Sequence, residues 1–413
     1  MKDYGMVIVG AGEAGARAAV ELRTQGWTGA ITMIGNEGRH PYERPPLSKH
    51  QLVDAAEPVP ITILDSNRLI EQNIGFHTND VAVRINRQVH TVELASGIQL
   101  PYERLLLATG ANPRKLSVQG NAAKEMLYLR TFADAIRIRE RIQPGQRVAV
   151  IGGGFIGLEV AASAVKKSCE VTLVEVAPRI LMRGVPEEIA KLVEQRHREA
   201  GVRFKIGVMI ESVDKEVGGE YVISLADGSA VRCDAIVTGI GAIPATALAV
   251  VSELEIENGV KVNEMLATSD PDIYAAGDCC SFPHPLYGGK RIRLEAWRNA
   301  QDQGTHVAGN MLGAAVPYSA LPWFWSDQYD QTLQVAGLSE PTDTTVMRNL
   351  GDAGKLFFHV AGDGRLVSVS AMGPTGAFAK EFRLAELLIE KQARPELEAL
   401  ANPGRKLKEL LRA

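Results

Sequence analysis

Apolar and polar positions fall into blocks along this chain, and the first blocks set the reading. Met6 to Val9 is an unbroken apolar run rich in β-branched residues, which predicts a strand buried on both faces. From Ala14 to Leu22, small and apolar residues recur at helical spacing. A second apolar run, Ala30 to Ile34, predicts the next strand and ends at Gly35-Asn36-Glu37. The same grammar returns later. Val148 to Ile151 reads as a buried strand, the residues through Ala161 to Val165 as a helix, and Val171 to Val174 as a strand ending in Glu175. Between and beyond these lie short strands with glycine turns from 74 to 107 and from 202 to 223, a helical pattern from Thr131 to Ile142, and a buried strand Ala235 to Thr238. Arg104 to Gly110 and Ala235 to Gly239 both run from strand to glycine, which suggests two crossings between the same pair of domains.

Glycines sit where each strand meets its helix. In the first unit Gly10 permits a tight turn, Gly12 lets the backbone approach a pyrophosphate with no Cβ in the way, and Gly15 allows close helix–strand packing. Glu37 then stands where a ribose hydroxyl is expected. Gly152, Gly154, Gly157 and Glu175 repeat the arrangement. A lone G-x-G-x-x-G is weak evidence, but strand, glycines, helix and terminal acid supplied twice imply two dinucleotides.

Composition narrows the class. At 413 residues the chain suggests two or three domains, and 46% hydrophobic residues with 40 glycines fit a glycine-turned α/β enzyme. A formal net charge of −4 gives no sign of bulk affinity for nucleic acid or for an anionic membrane surface. The sequence has no apolar run long enough to span a bilayer and opens directly on a strand, so a soluble, cytoplasmic protein is expected. Cys169, Cys233, Cys279 and Cys280 form no C-x-x-C motif, which agrees with a reducing compartment. The vicinal Cys279-Cys280 is expected to be buried small residues rather than a working disulfide. His40, His50, His284 and His306 lack metal-ligand spacing, and no metal is expected.

Several further stretches carry chemistry. His40-Pro41-Tyr42-Glu43-Arg44-Pro45-Pro46-Leu47-Ser48-Lys49 is fixed as extended backbone by its prolines and can hold Arg44 and Lys49 in place. Asp272 to Asp278 is a short strand that delivers Asp278 to a new element. From Leu321, Pro322-Trp323-Phe324-Trp325 opens a separate C-terminal part closed by a basic amphipathic tail, Arg405 to Arg412.

With these pieces in order, the chain resembles over essentially its whole length the two-dinucleotide flavoproteins, and among them the ferredoxin reductases that serve oxygenases. The resemblance implies an α/β fold with two Rossmann-like domains and a C-terminal α+β domain. Residues 1–111 and 242–321 would bind FAD, 112–241 NAD, and 322–413 would form the C-terminal domain. It implies that FAD meets Gly10, Gly12, Ala14, Gly15, Glu37, Arg44, Lys49, Thr109, Gly110, Asp278, Glu295, Ala296, Trp297 and Trp325. NADH would meet Gly152, Gly154, Phe155, Ile156, Gly157, Glu159 and Glu175. Hydride would pass to flavin N5 and electrons would leave singly to a small iron–sulfur ferredoxin, of two-iron two-sulfur type. A monomer or weak homodimer is expected.

Lys49 and Glu159 read on their own as a surface charge and a helix acid. The resemblance pairs them beside N5 as catalytic groups, with Trp297 on the flavin. Trp297 and Trp325 read equally as core anchors. Arg291, Arg293 and Arg298 are expected as rim charges for an acidic ferredoxin. Glu175 is expected to select NADH over NADPH, with Arg179 the one residue that could blunt the choice. Disulfide reductases and peroxidases of the superfamily carry cysteine after the first βαβ unit. Pro-Pro-Leu-Ser-Lys stands there instead, which favours a flavin that passes electrons straight outward. An NADH oxidase and a redox-responsive interaction flavoprotein resembling apoptosis-inducing factor remain the alternatives.

Overall fold

The computed structural model describes residues 4–182 and 184–411. Contacts divide the chain into two compact units. The first gathers the chain up to Arg44, Pro60–Asn112 and Ala242–Ala320; the second gathers Pro45–Val59, Pro113–Gly241 and the chain from Leu321 onward.

In the first unit a parallel sheet runs in the order Ile74–His77, Ile31–Ile34, Gly5–Val9, Gln99–Leu107, Ile273–Ala275. The apolar run predicted from Met6 is its central strand, buried throughout. Helix Glu13–Thr24 carries the chain to one side of that strand, and Gln99–Leu107 pairs on the other. The direction of winding therefore switches at the carboxyl end of Gly5–Val9, where open α/β sheets bind ligands. Gln99–Leu107 does two jobs: its first half pairs with Thr91–Leu94 in an antiparallel extension, and its second half completes the parallel core.

The second unit repeats this plan with Arg203–Ile206, Glu170–Glu175, Arg147–Ile151, Ala235–Thr238 and Leu127–Tyr128, all parallel. Helix Phe155–Lys166 follows the central strand. The predicted helix over 131–142 is Phe132–Arg141, started by a capping box between Thr131 and Asp134. A five-stranded antiparallel sheet, Trp323–Gln328 to Leu366–Pro374, carries helix Ala379–Glu390 over its own apolar core. In the tail only Leu407–Leu410 is helical, with Leu407 and Leu410 buried, and Arg412 lies outside the described residues.

Two features differ from the sequence division. The C-terminal sheet has its own core but falls within the second unit. Pro45–Val59 also belongs there, away from its chain neighbours, because its backbone is held by second-unit side chains. Ser163 donates to the Ser48 carbonyl at 2.7 Å, and Arg139 donates to the carbonyls of Gln51 at 3.1 Å and Asp54 at 2.5 Å.

Candidate functional site

The first glycine turn is shaped by close backbone approach at two places and openness at a third. Gly10 has φ +120°, and a Cβ there would lie 2.0 Å from the Ala108 carbonyl oxygen. A Cβ on Gly15 would meet the Gly10 carbonyl oxygen at 2.0 Å, so helix and turn touch as the glycine spacing predicts. Gly12 is different. Its φ of −86° suits any residue, and a Cβ there would meet nothing within 4 Å. It is also the N-cap of Glu13–Thr24, and no side chain caps that end. Unsatisfied helix N–H groups beside open space fit the pyrophosphate of a dinucleotide. Ala14 is buried, with its backbone against Gly304 of helix Trp297–Met311, and a Cβ on Gly304 would lie 2.4 Å from the Ala14 carbonyl oxygen.

Around this turn the first unit gathers most of its predicted residues. Glu37 accepts from the Tyr42 hydroxyl and, at 2.5 Å, from the Arg44 guanidinium. The extended, proline-fixed segment puts Tyr42 and Arg44 two residues apart on one side. A carboxylate accepts about four hydrogen bonds, so Glu37 keeps capacity for a ribose hydroxyl. Asp278 faces Arg44 electrostatically. Thr109 donates to the Ala245 carbonyl at 2.6 Å, and the Gly110 carbonyl accepts from Ala245 at 2.9 Å, which ties the outgoing and returning crossings together. Ala296 is the N-cap of Trp297–Met311, again without a side-chain cap. Trp297 interacts with Glu13, whose carboxyl is pushed up by burial against the pull of Arg17. Sequence reading passed over Glu13 and over Gln303, which accepts from the Gly277 N–H at 2.7 Å while its buried Nε2 has no protein partner.

The rim arginines need correction. Arg291 donates to the carbonyls of Val262 and Ser281 at 2.9 and 2.6 Å. Arg293 pairs with Glu295 at 2.7 Å and donates to the Asp278 carbonyl at 3.1 Å. Both hold backbone in place. Arg298 alone of the three is half-exposed, paired with Asp302 one turn along its helix.

In the second unit a Cβ on Gly152 or Gly157 would strike backbone at 2.4 or 2.1 Å, whereas at Gly154, the uncapped N-cap of Phe155–Lys166, the nearest atom would be 3.9 Å away. The pattern of the first turn is reproduced. Phe155 packs edge-on against Phe324 with ring centroids 4.9 Å apart, and Ile156 is exposed. Glu175 accepts the backbone N–H groups of Gly153 and Ala177 at 2.6 and 2.7 Å. Arg179, whose direction the sequence leaves open, donates to the carbonyls of Ile180, Leu181, Met182 and Val185 at 3.1 to 3.3 Å.

Glu159 is the buried charge of this unit. It accepts from the Ser48 hydroxyl and, at 2.6 Å, from Ser326, and Lys49 Nζ lies 3.4 Å away. Burial pushes the Glu159 carboxyl up, and Lys49 leads the groups that pull it down. Lys49 Nζ also lies 5.2 Å from the Trp325 ring and 3.8 Å from Asp327, which accepts from the Trp325 indole N–H at 2.8 Å. The pairing of Lys49 with Glu159 thus exists as expected, and Trp325 stands over it. Ser48, read in the sequence only as part of a longer stretch, and Ser326, which the sequence does not single out, are the donors to Glu159.

All four cysteines are unpaired and buried, and burial raises the thiols of Cys279 and Cys280. Among the described residues no cluster could hold a metal ion, and no helix is long and apolar enough to cross a membrane.

Comparison with known proteins settles the lineage. The sequence profile described as pyridine nucleotide-disulphide oxidoreductase matches residues 4–304, and that described as reductase C-terminal matches 323–411. The chain belongs to the pyridine nucleotide-disulphide oxidoreductase family. It is 38% identical over 408 residues to the ferredoxin–NAD(+) reductase component of an anthranilate 1,2-dioxygenase system from Burkholderia cepacia, covering 98% of each chain. It is 36% identical to putidaredoxin reductase CamA of Pseudomonas putida, covering 99% of this chain and 97% of that one. A solved covalent complex of putidaredoxin reductase with putidaredoxin contains a chain that matches with a TM-score of 0.92 and 35% identity, over 100% of this chain and 99% of that one. Like other members of this family, the protein is an FAD- and NADH-dependent oxidoreductase. No cysteine precedes Cys169, and all four cysteines are buried and unpaired.

Proposed function

We propose that the protein passes electrons from NADH to a small iron–sulfur ferredoxin, of two-iron two-sulfur type, that feeds an oxygenase. The observation that carries this reading is the doubled glycine turn with its two open, uncapped helix starts at Gly12 and Gly154, in a chain whose cysteines are all buried and unpaired. Two dinucleotides can be held, and no thiol relay stands between the flavin and an outside acceptor.

Gly10, Gly12, Ala14, Gly15, Glu37, Arg44, Thr109, Gly110, Asp278, Glu295, Ala296 and Trp297 are assigned to FAD. Gly152, Gly154, Phe155, Ile156, Gly157 and Glu175 are assigned to NADH. Bound FAD supplies the chemistry that accepts a hydride and releases electrons one at a time. The chain's own residues do the rest. Helix Glu13–Thr24 offers N–H groups to the pyrophosphate, Glu37 holds a ribose, and Lys49, held by Glu159 and Asp327, is the cation assigned to the negative charge of the reduced ring. The Trp325 ring lies beside Lys49, with Nζ 5.2 Å from its centroid.

The unpaired cysteines fit a reducing compartment, and we assign the protein to the cytoplasm as a monomer or weak homodimer. Arg298 is the exposed arginine that supports docking of an acidic ferredoxin.

The test is steady-state reduction of cytochrome c by NADH. Activity should appear only when a two-iron ferredoxin is added. Equal reduction without ferredoxin, or rapid NADH oxidation by oxygen alone, would contradict the assignment.

A further inference from the structure

Helix Glu187–Glu199 buries a histidine that the reading above does not use. His197 has no exposed surface, and both its ring nitrogens are bonded: Nε2 lies 2.9 Å from Gln328 Oε1, and Nδ1 lies 3.0 Å from the Tyr329 hydroxyl. Gln328 Nε2 in turn donates to Ser326 Oγ at 3.1 Å, and Ser326 Oγ donates to Glu159 Oε1 at 2.6 Å. A continuous chain of hydrogen bonds therefore joins Tyr329 to the buried carboxylate.

Its direction follows from elementary inventory. An ionised carboxylate only accepts, so the Ser326 proton points to Glu159, and Ser326 must accept from its other neighbour. Only the amide nitrogen of Gln328 can donate there, which turns the amide oxygen toward His197. His197 must then carry its proton on Nε2 and accept the Tyr329 proton on Nδ1. Burial depresses the imidazole to about 4, so the ring stays neutral at working pH. A glutamine does not relay protons, so the chain serves to orient dipoles toward Glu159 rather than to conduct.

A second feature shows what the hairpin gives up to keep this link. Tyr329 has φ +59° at the tip joining Trp323–Gln328 to Gln331–Gly337, a left-handed position that a bulky residue adopts at a cost and that asparagine or glycine would fill without strain. Both tip residues grip the same helix. The Arg196 guanidinium stacks on the Tyr329 ring at 4.5 Å and pairs with Asp330 at 2.9 Å.

We propose that His197 is a positioning residue for the Lys49–Glu159 pair, which it orients through Gln328 and Ser326. This rests on the assignment of that pair to the flavin's reacting edge. The charged and polar groups facing Glu159 are Lys49, Ser48 and Ser326, with Asp327 behind Lys49; those facing His197 are Gln328, Tyr329 and Arg196, with Phe204 edge-on. With the donor removed, Gln328 is free to turn its oxygen toward Ser326, that hydroxyl leaves Glu159, and the carboxyl is protonated at higher pH. Lys49 then loses its countercharge.

The experiment is anaerobic stopped-flow bleaching of the holoenzyme by NADH across pH 5.5–9, in wild type, His197→Leu, His197→Gln and Lys49→Met, together with 15N NMR of the histidine rings in wild type. Glutamine keeps a donor at the Nε2 position. The expected result is a bleaching rate about tenfold lower in His197→Leu, the size of one well-placed hydrogen bond. Its acid limb moves to higher pH, NADH affinity stays within about twofold, and His197→Gln recovers most of the rate. The NMR should show His197 as a neutral Nε2–H ring throughout. An Nδ1–H ring, or leucine and glutamine variants that behave alike, would overturn the role of His197 while leaving Lys49 in place. An unchanged Lys49→Met would overturn both readings. The NMR result in wild type decides the matter even where His197→Leu fails to fold.

Discussion

Glu175 Oε2 accepts the backbone N–H of Gly153 at 2.6 Å, so the acid at the end of one strand is tied to the glycine turn at the end of its neighbour. Its other oxygen holds Ala177. The carboxylate is thereby fixed beside the second dinucleotide turn, while Arg179 is spent on carbonyl groups of its own loop. A 2′-phosphate on the nucleotide would meet this fixed negative charge. At intermediate dielectric such repulsion costs on the order of 1–4 kcal/mol. NADH should exceed NADPH in kcat/KM by roughly tenfold to several-hundredfold. Glu175→Ala should narrow that ratio and, by orphaning two backbone donors, lower stability by about 1–3 kcal/mol. A wild type that prefers NADPH, or a variant with unchanged discrimination, would show that Glu175 is not the selector.

Gly10 and Gly12 separate folding from binding. A Cβ at Gly10 would lie 2.0 Å from the Ala108 carbonyl oxygen at a φ of +120°, so Gly10→Ala should fail to fold or lose at least ~3 kcal/mol of stability. At Gly12 a side chain meets only open space. Gly12→Val should give an apoprotein with the wild-type melting temperature whose affinity for FAD falls by at least about tenfold, as titrated by flavin fluorescence. A Gly12→Val protein that binds FAD as tightly as wild type would remove the pyrophosphate from this turn.

The neutral His197 makes the protein acid-labile in a defined window. Its imidazole is depressed from 6.5 to about 4 by burial, so below about 6.5 the unfolded chain binds a proton that the folded one refuses. The stabilisation is complete above pH 6.5 and lost as pH falls toward 4. Such a shift corresponds to on the order of 3 kcal/mol. Denaturant unfolding at pH 7 and pH 4.5 should show a loss in wild type that is smaller by about this amount in His197→Gln. Equal acid sensitivity in the two proteins would mean that His197 is protonated in the fold.

The strand–glycine–helix units were legible because local pattern and tertiary role coincide there: Met6 to Val9 and Val148 to Ile151 are buried on both faces wherever they are placed. Gly10 and Gly15, with Gly152 and Gly157, were legible for the same reason, since close backbone approach demands glycine there, whereas at Gly12 and Gly154 the turn tolerates a side chain and only an approaching ligand asks for glycine. Helix Trp297–Met311 was not. Gly304 and Gly309 weaken it on propensity, and only the backbone of Ala14 and the side chain of Gln25 explain why nothing larger fits. His197 was equally hidden, because its partners Gln328 and Tyr329 lie over 130 residues away in sequence. Arg291 and Arg293 misled in the opposite direction: sequence shows their charge but not the carbonyls that occupy it.

Electron transfer from NADH to a ferredoxin is the central claim, and the direct measurement is a double-mixing experiment under anaerobic conditions. The FAD-loaded protein is first bleached with one equivalent of NADH and then mixed with an oxidised two-iron ferredoxin while both chromophores are followed. The flavin absorbance should return within the ferredoxin's reduction phase, with two ferredoxins reduced per NADH, and the rate should fall as salt screens the encounter. A flavin that stays bleached in the presence of ferredoxin, yet is reoxidised at once by air, would contradict the account.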